Sequence, residues 1–409
     1  MTKTIQRIAL NSMSPGTERF VKVHRYGKPG ARPKAYLQAS LHADEIPGML
    51  VAHHLIGLLD AADARGEIKG EIIVVPVANP VGAGQVVNTT FVGRYDFRSG
   101  INFNRRWPDL SVGLADKVRD KLGKDADKNI AIVRQALGEA VERIHAVGET
   151  AMLKKELLRL AYDSDIVLDL HCDDIALMHM FTTHVYWPRA QDLAADMGVK
   201  VVMLCDDSHA QSFDEASFLP WYRLQKELGP DLPVPAPTLT STIEFRGQAD
   251  VYDGIASADA ANLFRFLQRR GLIAGDPGPL PKLDGKVADL EACENVTAPC
   301  AGIVAYKMRE GDVTKKGDLI AEIVDPLADD PKQARTPVRT TTAGPILSIR
   351  AMKSVGAGDS IAFIIGDETH VVRPGQMWRI PGGVVHSAIA GDQPVKALDV
   401  FHPIREDYR

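Results

Sequence analysis

KAYLQASLHADEIPGMLVAHHLIGLLD, residues 34–60, decides the fold. Lys34 to Ser40 is a short apolar run that reads as a strand. LHADEIPG is a polar loop, and Met49 to Asp60 has the periodicity of a helix. Glu71 to Val77 (EIIVVPV) is a continuous β-branched run, the pattern of a strand covered on both faces. Ile166 to Leu170 (IVLDL) and Lys200 to Leu204 (KVVML) read the same way, and Thr240 to Phe245 (TSTIEF) is another strand. Asp259 to Arg270 reads as a helix stopped by Gly271. Buried strands alternating with helices predict an α/β layer fold.

The rest of the chain differs. Residues 112–160, rich in Lys, Asp, Glu and Ala, read as helices with one apolar stripe, an insertion expected to lie over the site. A Pro/Gly/Asp-rich linker at 274–285 follows. From 297 to about 366, short strands and Gly turns carry an all-β signature. Within it, APCAGIVAYKMREGDVTKKGDLIAEIVD and TTAGPILSIRAMKSVGAGDSIAFII repeat one strand–turn–strand phrase. The expected domains are therefore 1–285, 286–366 and 367–409.

The length of 409 residues fits two or three domains, and 45% apolar with 25% charged residues is ordinary globular composition. A net charge of −5 offers no basic footprint for nucleic acid or an anionic membrane. Cys172, Cys205, Cys293 and Cys300 form no CxxC pair, which argues against a zinc ribbon and a disulfide framework. The first twenty residues lack an apolar signal-peptide core, and no run of 18 apolar residues exists. A reduced cytoplasmic compartment is the expected location.

Four groups of residues carry chemistry. His42 and Glu45 stand three apart where a strand turns to a helix, the place where α/β sheets bind ligands. A His nitrogen and a Glu oxygen both suit Zn²⁺, although a polar capping loop would look the same. His171 follows Asp169 at the end of IVLDL, amid acids that are costly to bury without a cation. Asp169 would orient an imidazole, and the alternative is a solvated turn. Asn104 and Arg105, with Arg94 and Arg98 before them, suit a substrate carboxylate, or else a solvent-facing turn. Glu244 in TSTIEF needs a task or a partner: general base, or pairing with Arg246.

In this order the four groups resemble the succinylglutamate desuccinylase and aspartoacylase family of the zinc carboxypeptidase clan, over roughly residues 20–366. The resemblance implies a three-layer carboxypeptidase-like α/β core with a mixed sheet. It implies one Zn²⁺ per chain held by His42, Glu45 and His171, with the fourth position left for water. It implies Glu244 as general base, Arg94 or Arg98 stabilising the oxyanion, and Asn104 with Arg105 holding a carboxylate.

The β-rich segment resembles a barrel-sandwich hybrid, the fold of biotinyl and lipoyl carriers. Ala351-Met352-Lys353 suggests a biotin site, but the carrier hairpin aligns with 324–331 instead. In the tail, Gly375 to His386 resembles the second cupin motif without the first. Some forty residues cannot close a barrel alone, so the tail is expected to pack on the sandwich or across a homo-oligomer interface.

The expected activity is hydrolysis of an N-acyl amino acid or similar small anionic amide. The rivals are a metallocarboxypeptidase acting on peptides or peptidoglycan stems, and a non-catalytic binding protein.

Overall fold

The computed structural model describes residues 1–366; the cupin-like stretch and the remainder of 367–409 lie outside the described residues. The chain begins with β1 (Thr4–Ala9), β2 (Phe20–Tyr26), β3 (Lys34–Ala39), α1 (Pro47–Ala64) and β4 (Glu71–Val75). A one-turn α2 (Pro80–Ala83) and a hairpin of β5 (Val86–Val87) and β6 (Thr90–Phe91) follow. Then come α3 (Leu114–Val118), α4 (Ala126–Glu142) and α5 (Glu149–Ala161). The next elements are β7 (Ile166–Asp173), β8 (Ile175–Ala176), β9 (His179–Thr182), α6 (Trp187–Met197) and β10 (Val201–Leu204). The series closes with α7 (Phe213–Leu228), β11 (Leu239–Gly247) and α8 (Asp253–Arg269).

With β12 (Lys286–Asp289), strands β1–β4, β7 and β9–β11 build a 9-stranded sheet of order β1-β2-β4-β3-β7-β11-β9-β10-β12. The sheet is mixed. β4, β3, β7 and β11 run parallel, while β1–β2, β2–β4 and β11–β9 are antiparallel. All six residues of β3 and all five of β4 are buried, as apolar runs in a sheet covered on both faces should be.

Strand alternation divides the core in two. Ala35, Leu37, Ile72, Val74 and Leu168 pack with α1, α6 and α8 on one face. Tyr36, Ile73, Val75 and Val167 pack with α3, α4, α5 and α7 on the other. The result is the expected three-layer α/β/α core. The helices of 112–160 form part of its second layer.

The remaining strands are β13 (Glu294–Thr297), β14 (Gly302–Tyr306), β15 (Val313–Thr314), β16 (Leu319–Val324), β17 (Arg335–Arg339), β18 (Gly344–Ile349), β19 (Ser354–Val355) and β20 (Ser360–Ile364). They form two sheets, β13-β20-β18-β15 and β17-β16-β14-β19, around an apolar core that includes Val304, Ile320, Ile346 and Ile361. The repeat shows in the backbone. Each half opens on an Ala-Gly whose glycine lies against a carbonyl: an added Cβ would stand 2.5 Å from Val324 O at Gly302 and 1.9 Å from Ile365 O at Gly344. The halves join through the β16–β17 hairpin. Lys353 lies just before β19, its ammonium 4.4 Å from the Tyr306 ring centroid.

The sandwich is docked firmly on the large sheet. β8 pairs with β18, and Val201, Met203, Leu347 and Ile365 share one core.

Candidate metal centre and active site

Three parallel neighbours in the sheet carry the site, and β3 ends at Ala39 while β7 and β11 run on past it. Gln38 of β3 pairs with Asp169 of β7, which pairs with Thr242 of β11. Two residues further along, His171 pairs with Glu244. The loop leaving β3 therefore rises beside His171 and Glu244 and carries His42 and Glu45. Backbone packing holds that loop in place. Ala43 N donates to Gly93 O at 3.1 Å, and Asn79 Nδ2 donates to Leu41 O at 2.9 Å. A Cβ on Gly93 would lie 2.5 Å from Asp44 N, so only glycine permits this approach. Likewise a Cβ on Gly48 would lie 2.7 Å from Leu170 O, where α1 starts against β7.

The two imidazoles are presented alike. His42 Nδ1 lies 2.8 Å from Glu45 Oε1, and His171 Nδ1 lies 2.6 Å from Glu45 Oε2. The opposite nitrogens are anchored. Asn102 Oδ1 accepts from Asn104 N at 2.8 Å, which identifies it as the amide oxygen. His42 Nε2, 2.8 Å from the same atom, must then be the donor. His171 Nε2 donates to Asp169 Oδ2 at 2.8 Å. Gln38 Nε2 in turn donates to Asp169 Oδ1 at 3.0 Å, and Tyr36 OH donates to Gln38 Oε1 at 2.7 Å.

Each ring thus has one nitrogen committed outward and Nδ1 turned inward. This is the arrangement in which a carboxylate or carbonyl orients a metal-ligating histidine. The ligand atoms of His42, Glu45 and His171 lie within 4.8 Å of one another, and all three residues are buried. Two imidazole nitrogens and one carboxylate oxygen suit Zn²⁺ and leave a position open. Burial alone would push His171 toward neutrality, but Asp169 and then Glu45 hold its pKa well above the usual histidine value. A buried carboxylate flanked this way is a seat for positive charge.

Glu244 faces the same cavity. Its Oε2 is shielded from solvent and has no hydrogen-bond partner among the described residues. Burial, followed by the negative charge of Glu45, pushes its pKa up to about 8. Arg246 pairs with Asp259 instead and turns to the other side of the strand. The cavity, of 260 Å³, is lined by His42, Glu45, His171, Glu244, Arg94, Asn104 and Arg105 among others.

The two candidate oxyanion arginines part company. Arg94 Nη1 sits 3.0 Å from His42 Nδ1 and 3.2 Å from Glu45 Oε1. Arg98 reaches Met13 Sδ at 3.4 Å and does not line the cavity. Asn104 Oδ1 accepts from Phe213 N at 2.8 Å, fixing the loop to the start of α7, and Arg105 lines the cavity beside it. No residue of 112–160 lines it, so the helical segment lies behind the substrate loop rather than over the cavity. The reason is its apolar stripe, which packs on the second face of the sheet.

Asn102 and Gln38, which anchor His42 and Asp169, belong to none of the four groups legible in the sequence. Gln38 had a signal, a lone amide in an apolar strand. His179 is turned to Leu177 O, and His184 lies between Asp206 and Asp289, so neither lines the cavity. Thr182, Thr183, Asp206, Ser208 and Asp214 also line the cavity.

The model of a family described as succinylglutamate desuccinylase/aspartoacylase catalytic domain matches residues 31–268. Among solved structures, a Shewanella amazonensis protein provisionally placed in that family has a TM-score of 0.78 and 26% identity over 88% of this chain and 98% of its own. A Shewanella frigidimarina protein provisionally named succinylglutamate desuccinylase/aspartoacylase has a TM-score of 0.79 and 23% identity, covering 90% of this chain and 98% of its own. The product-bound ectoine utilization protein EutE (DoeB) from Ruegeria pomeroyi has a TM-score of 0.63 and 16% identity, covering 90% and 96%. The last two show the fold alone. No curated protein matches the chain in sequence.

Proposed function

The chain belongs to the succinylglutamate desuccinylase/aspartoacylase family, and from that premise we propose that it is a zinc-dependent hydrolase of N-acyl amino acids or similar small amides bearing a carboxylate. One observation carries the reading. Two anchored imidazoles and Glu45 converge in a cavity that also holds the unpartnered Glu244 Oε2.

His42, Glu45 and His171 would hold the zinc. When bound, it supplies Lewis acidity and lowers the pKa of water. The chain's own residues do the rest. Glu244 takes a proton from the attacking water and passes it to the amide nitrogen as the C–N bond breaks. The water oxygen ends in the new carboxyl group, and the nitrogen leaves as the amine. Arg94, already beside His42 and Glu45, donates to the carbonyl oxygen as negative charge develops there. Arg105, steadied by Asn104, binds the substrate carboxylate. Phe181, Phe218 and Leu290 supply the apolar lining that excludes water.

The four cysteines are free, which suits a reducing compartment, and we place the enzyme in the cytoplasm. Among the described residues no helix is long and apolar enough to cross a membrane.

The test is a panel of N-acetyl, N-succinyl and N-formyl amino acids offered to zinc-loaded protein. Release of free amine that a chelator stops and zinc restores is the expected result. Zinc bound without hydrolysis across the panel, but with cleavage of a peptide C-terminus, would replace this reading with a peptidase.

A further inference from the structure

We propose that Lys154, on α5, is a positioning residue for Arg105, so that the helical segment behind the cavity sets how the carboxylate end of the substrate is bound. The inference rests on the reading of Arg105 given above.

Lys154 is only 8% exposed. Its Nζ donates to Arg105 O at 2.6 Å, lies 3.4 Å from Arg106 O, and stands 5.5 Å from the Trp107 ring centroid. This is an expensive place for an ammonium. Burial and then the Arg106 guanidinium push its pKa down to about 8, against weaker support from Asp96. A buried cation beside the Arg106 guanidinium is unfavourable unless its hydrogen bonds are needed. A Met or Leu would cover Trp107 without that cost, so packing alone does not explain a lysine.

The backbone explains it. Arg106 has φ +57°, a left-handed conformation that a non-glycine residue seldom adopts. This turn leaves the carbonyls of Arg105 and Arg106 outside any helix or strand, and Lys154 receives them. The neighbouring residues are tied down by other groups. Asn102 Oδ1 holds Asn104 N, Phe213 N holds Asn104 Oδ1, and Trp107 N donates to Gln211 O at 3.0 Å. Among the described residues, Lys154 is the one side chain outside this loop that donates to the carbonyl of Arg105, whose side chain lines the cavity. Since α5 does not line the cavity, its effect on substrate passes through Arg105.

Steady-state kinetics of Lys154→Met, Arg105→Gln and the double variant decide the matter. The substrates are the best-hydrolysed member of the N-acyl amino-acid panel and its analogue with carboxamide in place of carboxylate. Lys154→Met should raise KM for the carboxylate substrate about tenfold, with kcat nearly unchanged and no effect on the carboxamide. The double variant should be no worse than Arg105→Gln, because both act through one contact. If Arg105→Gln raises KM while Lys154→Met leaves it unchanged, or if the two effects add, the proposal is overturned and the Arg105 reading stands. If Arg105→Gln has no effect on KM, both are overturned. Lys154→Ala, which lets water reach the two carbonyls, is assayed in parallel. In either folded variant a KM rise confined to the carboxylate substrate supports the proposal, and an unchanged KM overturns it.

Discussion

Asp169 and His171 stand two residues apart on one face of β7, and the carboxylate of the first holds Nε2 of the second at 2.8 Å. A strand's period of two puts both side chains on the same face, within reach of one another. Asp169→Asn keeps an acceptor but loses the charge. Zinc affinity should fall about 10–100-fold, measured by competition with a fluorescent chelator. An affinity equal to wild type would remove Asp169 from the account.

Gly93 tests how the site is assembled. Its backbone touches the loop bearing His42 and Glu45, and it precedes Arg94. Gly93→Ala should cost about 1–3 kcal/mol of stability through overpacking, seen as a lower urea midpoint, and should reduce turnover by displacing Arg94. Wild-type stability in this variant would show that the loop relaxes freely.

Arg94 and Arg98 were interchangeable candidates in the sequence. The structure separates them. Arg94→Ala should lower kcat about 10²–10³-fold, the usual cost of one oxyanion donor. Arg98→Ala should leave kcat unchanged, since Arg98 does not line the cavity. The opposite pattern in steady-state kinetics would transfer the role to Arg98.

Acid stability has a definite sign at Asp196. Burial opposes its ionisation, but Arg269 and Arg265 of α8 outweigh it and hold the carboxyl below its ordinary value. A folded pKa below the unfolded one contributes stability above the unfolded value, lost as pH falls through the folded one. Asp196→Asn should therefore lower the Tm at pH 7 by several degrees. The gap from wild type should close below about pH 4. A gap of equal size at pH 7 and pH 3, read by differential scanning calorimetry, would contradict this.

How much the sequence disclosed depended on distance along the chain. The buried strands were legible because a strand covered on both faces must be continuously apolar. His42 with Glu45, and Asp169 with His171, are local pairs, so their spacing pointed to a common chemistry. Asn102 was not legible as the anchor of His42, because sixty residues separate them and only the loop packing around Gly93 joins them. Lys154 is one of many charges in the Lys-, Asp- and Glu-rich segment 112–160. Its burial follows from the turn at Arg106, which no local pattern announces. The segment 112–160 forms the expected helices, but it does not lie over the site as its reading as an insertion implies; its apolar stripe has another place. It packs instead on the sheet face shared with α7.

Glu244 is where the proposed chemistry meets the observed geometry most directly. The decisive measurement is turnover and zinc content of Glu244→Gln, side by side with wild type. About one zinc per chain should remain, since Glu244 is not among the three converging ligands. Turnover should fall about 10²–10⁴-fold, the range for a lost general base. A variant with its zinc and full activity would contradict the account.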